Sequence, residues 1–193
     1  LSRYRFPPQK QRKERMNMLD ELQIGRPDRA IREHVLQEWR KVLGGERLGD
    51  LETMTADFLA MTGGKGLQGL HPVMGLMCGD HGIAKYGVSA FPQEVTLQMV
   101  RGYGRGTAGA NVMARHAGAN VVVVDVGTNF DLSEFGHVRQ CKVAWGTQDF
   151  TQGPAMTAAQ AEQALRVGMD MACAAIDHGC NCLLYTSDAA DDK

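Results

Sequence analysis

Residues 121–126 read Val-Val-Val-Val-Asp-Val, a run of β-branched side chains whose stiff rotamers favour the pleated backbone of a strand. A strand sends successive side chains to opposite faces, so an unbroken apolar run has to be covered on both sides. Residues 73–78, Val-Met-Gly-Leu-Met-Cys, repeat the pattern between His71-Pro72 and Gly79-Asp80. Strands buried on both faces and separated by helical patterns predict an α/β chain with a parallel sheet in a three-layer α/β/α arrangement. In such sheets ligands collect outside the carboxyl ends of the strands, which directs attention to Asp80-His81 after the first run and to Asp125 in the second. Gly79 and Gly82 would let the backbone approach a ligand closely. For Asp125 two roles stay open, lining the cleft or capping the next turn.

Helical signals surround these runs. Ile31, Val35, Leu36, Trp39, Val42 and Leu43 are helically spaced over residues 28–43, after Pro27 and before Gly44-Gly45. A second helix is expected from Asp50 as N-cap, burying Leu51, Met54, Phe58 and Leu59 and stopping at Thr62-Gly63-Gly64. Together they make an N-terminal helical region, 28–62, ahead of an α/β core at 72–181. Pro92 suits the first turn of a further helix, with Glu94 near its positive end. Thr157 and Gln160 form a capping box for a helix over 158–177, with Ala161, Leu165, Val167, Met169, Ala172 and Ile176 as apolar positions and Gly179 as its stop. Residues 130–140 are polar and turn-rich, and 141–147 suggest a short strand or extended segment.

Two glycine clusters need a decision. Gly63-Gly64-Lys65-Gly66 lacks the earlier glycine and the Ser or Thr after lysine that a phosphate loop needs, so it is a flexible connection. Gly104, Gly106 and Gly109 spell G-x-G-x-x-G, followed by a helical run, the valine strand and Asp125. Taken alone, that is a dinucleotide-binding fingerprint for NAD, provided residues 95–100 form a strand. Pro92 and Glu94 favour a helix there instead.

Composition narrows the function classes. The chain has 193 residues, 44% of them hydrophobic, with 21 basic against 22 acidic side chains. Residues 1–47 carry 12 Lys/Arg and 7 Asp/Glu, a modest basic excess without the aromatic interleaving of a nucleic-acid surface. No apolar run approaches the ~20 residues of a membrane helix. Five cysteines form an odd set without framework spacing, which points to a reducing, cytoplasmic setting. Cys180-Asn181-Cys182 has no second pair, so no metal site is expected. Residues 1–27 look like a flexible or foreign leader, and 182–193 like a tail appended to a truncated chain.

Longer strings carry a resemblance. Asp80-His81-Gly82, the run Gly-Val-Ser-Ala-Phe-Pro-Gln-Glu-Val-Thr at 87–96, Ala-Arg-His-Ala-Gly-Ala at 114–119, Val-Val-Asp-Val-Gly at 123–127 and Pro-Ala-Met-Thr at 154–157 resemble the nicotinate-nucleotide:dimethylbenzimidazole phosphoribosyltransferase family. Leu48-Gly49-Asp50-Leu51-Glu52 matches its early Leu-Gly-x-Leu-Glu element, although Leu43-Gly44-Gly45-Glu46-Arg47 replaces the Lys-Pro-x-Gly-Ser that often precedes it. The resemblance implies transfer of ribose 5-phosphate from nicotinate mononucleotide to 5,6-dimethylbenzimidazole, with no cofactor, and a homodimer in the intact enzyme. It also makes residues 95–117 two consecutive helices whose glycines serve close packing. Substrate-binding roles fall on Asp80, His81 and Phe91, and on Gln98 or Met99, which bracket another pocket position. The family's Gly-Glu-x-Gly-x-x-Asn-Thr-Thr segment and its late catalytic glutamate have no counterpart in these residues. A chain of this extent is therefore expected to be inactive alone.

Overall fold

The computed structural model describes residues 25–44, 46–66 and 69–188; the expected leader up to residue 24, Gly45 and the end of the tail lie outside the described residues. The chain divides into two compact units, one holding the N-terminal helices and the other everything from Leu70 onward. In the first, α1 (Arg29–Val42) starts where Asp28 accepts hydrogen bonds from the N–H groups of Ala30 and Ile31. The second helix, α2 (Asp50–Met61), is joined to it by an Arg32–Asp57 ion pair and by Asp28 N–H donating to the Ala60 carbonyl.

The burial expected for α2 is corrected. Leu51 and Met54 are exposed, Phe58 and Leu59 are half-buried, and the inward stripe is Glu52, Ala56 and Ala60. Small side chains at that four-residue spacing let a neighbouring helix come close. Glu52 belongs to the stripe because its carboxylate accepts the Leu48 N–H at 2.6 Å. The cap position falls to Gly49, with a positive φ of 64°, and Asp50 becomes the first helical residue.

In the second unit, β1 (Pro72–Gly79), β2 (Asn120–Gly127), β3 (Val138–Gln140) and β4 (Cys182–Asp188) form an all-parallel sheet in the order β3-β2-β1-β4. Residues 182–188, set aside in the sequence as tail, thus form the strand beside β1. Helices α3 (Glu94–Arg105) and α4 (Gly109–His116) connect β1 to β2, and α5 (Ala158–Asp177) connects β3 to β4. The valine run explains itself here. Val122 and Val124 pack with Val167, Met171 and Ala175 of α5, whereas Val123 packs with Leu76, Val100 and Tyr103 on the α3 side. Alternation of period two thus fills both cores of a three-layer sandwich.

The dinucleotide reading is overturned. Residues 95–100 are helical, Gly104 lies inside α3, Gly106 is its left-handed C-cap at φ 73°, and Gly109 opens α4. A Cβ on Gly104 would collide with the His137 ring, so this glycine serves close packing, not pyrophosphate binding. The strand near residue 140 is Val138–Gln140; residues 141–147 run irregularly, with Gly146 at φ 68°, while still bonding to β2. Helix α5 has the expected bounds and capping box, but Leu165 and Ile176 are exposed and its buried side is Val167, Met171, Ala174 and Ala175.

Candidate functional site

β1 and β2 end side by side at Gly79 and Gly127, and a cavity of about 170 Å³ opens beyond them. Its floor is Gly79, Asp80, His81, Val126 and Gly127. One wall comes from Val143, Ala144, Gly146 and Thr147, and the other from Met156, Gln160 and Ala164 at the start of α5. A second, largely apolar hollow of about 570 Å³ shares His81, Val126, Met156 and Ala164 and continues along α5 past Leu165 to Gly168. The cavity opens at the carboxyl ends of parallel strands, which is where open α/β sheets take ligands. An apolar hollow with a few convergent polar groups is the usual make-up of a small-molecule site.

Asp80 is only 2% exposed, yet both of its oxygens are occupied. Thr96 of α3 donates its hydroxyl to Oδ1 at 2.7 Å, and the N–H of Asn129, in the turn after β2, donates to Oδ2 at 2.8 Å. Its backbone is tied as well, donating to Gly127 O and accepting from Thr147 N–H. One residue therefore fastens three elements to the end of β1: its carboxylate holds α3 and the turn after β2, and its backbone holds Gly127 and the Thr147 wall. Unsatisfied burial of such a group would be costly, and here it is avoided.

His81 lines both hollows, and its carbonyl accepts from the Gln93 side chain at 2.8 Å. The remaining expected site residues do not line this cleft. Phe91 is 56% exposed just before α3, Gln98 is exposed on that helix, and Met99 packs against the core beneath it. The cause is the period of α3. Core contacts are taken by Leu97, Met99, Val100 and Tyr103, which fixes the direction of every neighbour.

A polar strap borders the floor. Residues Gly82–Tyr86 form a 3-10 turn whose first N–H donates to Thr147 Oγ1 at 3.3 Å. At its far end Lys85 Nζ and Tyr86 OH each lie 2.9 Å from Asp149 Oδ2, while Thr151 donates its N–H and hydroxyl to Oδ1. These bonds, the Thr151 hydroxyl first, hold the Asp149 carboxyl well below the usual carboxylate range, and Asp149 in turn pushes the Lys85 ammonium up. Burial pushes the Cys141 thiol up as well, away from the reactive thiolate form.

Asp125 is fully buried. Its Oδ1 accepts the Thr128 N–H at 2.9 Å, and Lys142 Nζ stands 2.8 Å from Oδ2 as an ion pair. It caps the turn after β2 and does not line the cleft, which resolves the choice left open by the sequence. The wall at 143–147 and Met156 were not singled out as site residues from sequence. Their available signal was the Pro-Ala-Met string, which sits where α5 meets the cleft. Among the described residues no group of three or more His, Cys, Asp or Glu could hold a metal ion, and no helix is long and apolar enough to cross a membrane.

Comparison with known proteins fits this geometry. The chain is 46% identical over 136 residues to the nicotinate-nucleotide–dimethylbenzimidazole phosphoribosyltransferase of Chloroflexus aggregans, covering 70% of this chain and 38% of that protein. It is 47% identical over 125 residues to the enzyme of the same name from Geobacter sulfurreducens, covering 65% and 36%. The match thus spans well under half the length of these relatives. Among solved structures, the crystal structure of CobT from Thermus thermophilus superposes with a TM-score of 0.71 at 36% identity, covering 81% of this chain and 49% of that one. The profile of the DBI_PRT family, described as phosphoribosyltransferase, matches residues 24–187. On this family match and these identities, the chain belongs to the DBI_PRT phosphoribosyltransferase family.

Proposed function

We propose that the strand-end cleft is the acceptor side of a site that moves ribose 5-phosphate from nicotinate mononucleotide to 5,6-dimethylbenzimidazole. In that reaction a ring nitrogen of the benzimidazole bonds to the anomeric carbon, nicotinate leaves with the electron pair of the broken bond, and the second ring nitrogen gives up its proton. The acceptor is flat and mostly apolar, and Val126, Val143, Ala144, Met156 and Ala164 give the cleft an apolar lining. The observation that carries this reading is the apolar cleft at the ends of β1 and β2 in a chain of this family. Asp80 acts by fastening the loops, because both of its oxygens are already engaged, and among the polar residues that line the cleft, His81, Thr147, Gln148 and Gln160, we assign His81 to the ring. The working enzyme is a homodimer of the cytoplasm; the five cysteines, none of them in a disulfide, suit a reducing compartment.

General-base catalysis needs a carboxylate within hydrogen-bond reach of the proton it takes. Among the described residues that line the cleft, Asp80 is the sole carboxylate, and it is occupied. The 193-residue chain is therefore expected to bind 5,6-dimethylbenzimidazole saturably without releasing nicotinate from the mononucleotide above background. A fluorescence titration with the benzimidazole, run beside a nicotinate-release assay, tests both parts. Absence of saturable binding contradicts the acceptor-side reading, and robust release contradicts the claim about the base.

A further inference from the structure

Behind the 143–147 wall lies a buried polar network that the transfer reaction does not call on, and Lys142 is its centre. Its side chain is 18% exposed. Three oxygens converge on the ammonium: the Thr128 carbonyl at 2.5 Å, the Thr128 hydroxyl at 2.9 Å and Asp125 Oδ2 at 2.8 Å. The ring of Trp145 covers it, with the centroid 4.5 Å away. Thr128 and Asp125 are both fully buried and bonded to each other.

Position in the chain gives this network its consequence. The residues directly after Lys142 are the cleft wall, and the residue directly after Thr128 is Asn129, whose N–H holds Asp80. The Asn129 side chain also lies against Gly146, where an added Cβ would stand 2.7 Å from its Oδ1. Lys142 thus ties the wall to the turn after β2 and, through Asn129, to the floor. A buried ion pair contributes little net stability compared with apolar packing, whereas a unique arrangement of the groups around it is a use such pairs do serve.

We propose that Lys142 is a positioning residue of this site: paired with Asp125 and Thr128, it holds residues 143–147 where they shape the cleft for a planar apolar ring, without touching that ring. The choice of ligand rests on the function proposed above; the positioning does not.

Amide hydrogen exchange separates the two. Gly146 and Thr147 donate their N–H groups to Gly127 O and Asp80 O at 3.0 and 2.9 Å, so they report the seating of the wall. In Lys142→Met these two amides should exchange about tenfold faster while the amides of β1 and β2 keep their protection, and Lys142→Arg should restore the slow rate. Unchanged exchange, or a rise by one common factor across the sheet, would overturn the proposal. Should Lys142→Met fail to fold, the Asp125→Asn/Lys142→Met double variant removes the stranded charge and is judged by the same pattern. Affinity for 5,6-dimethylbenzimidazole is expected to fall in step with the loss of protection and to return in Lys142→Arg. If the unaltered chain binds none, the function reading fails while the exchange pattern still decides the role of Lys142.

Discussion

Through its carboxylate, Asp80 ties α3 to the turn after β2 at the floor of the cleft. Replacing it with alanine strands the Thr96 hydroxyl and the Asn129 N–H, at about 1–3 kcal/mol for each buried donor left unpaired. Urea denaturation of Asp80→Ala should show a loss of that order, and a change below about 0.5 kcal/mol would mean that the carboxylate is not the fastener described. A pair of glycines offers a sharper contrast. A Cβ on Gly82 would lie 2.7 Å from backbone atoms of Thr147, Gln148 and Asp149, which cannot move without displacing the wall. One on Gly75 would meet the terminal methyl of Met171 at the same 2.7 Å, and a thioether can rotate away. Thermal unfolding should therefore show Gly82→Ala losing about 1–3 kcal/mol and Gly75→Ala clearly less. The sequence marks Asp80 by its place after an apolar run. It does not reveal that donors 16 and 49 residues away would fill both oxygens, because long-range partners leave no periodic trace.

Among the elements, α5 was the most legible. A capping box, a run of good helix formers and a closing glycine gave its residues 158–177 from local chemistry alone. Thr157→Ala should cost about 1 kcal/mol in equilibrium unfolding, since it breaks the cap whose two halves are both formed. β3 was missed because three residues are too few to show a period, and the face of α2 was misjudged because its inward stripe is alanine rather than leucine. The strap between the 3-10 turn and Asp149 makes a pH prediction. The Asp149 carboxyl is depressed, so its contribution is complete above the ordinary Asp value of about 4 and is lost as pH falls through its lowered value. The Lys85 ammonium is raised, so its share is complete below about 10.4 and lost only as pH climbs past that. Strap-specific NMR shifts of Tyr86 and Thr151 should stay flat between about pH 5 and 9 and move in strong acid. Movement centred near neutrality would contradict the arrangement.

At the scale of the whole molecule, the resemblance of strings around residues 80–127 led to the family, and the two unbroken apolar runs at 73–78 and 121–126 led to the layers. The position of the cleft was only partly legible. Sequence placed the ring beside Phe91 at the start of α3, whereas the described hollow lies between the strand ends and α5, framed by loops whose course depends on Asp80 and Lys142. Among the described residues β4 is the outermost strand beside β1, with Leu183, Leu184 and Tyr185 exposed, the kind of edge that pairs between molecules. Sedimentation of Leu184→Lys should show less concentration-dependent association than the unaltered chain; equal association would place the contact elsewhere. The most direct test of the central claim is an amide NMR titration with 5,6-dimethylbenzimidazole. Saturable shifts should concentrate at Gly79, His81, Gly127, Thr147 and Met156 and leave α4 untouched. Shifts centred on the α3–α4 glycines, or no saturable shifts, would contradict a strand-end acceptor site.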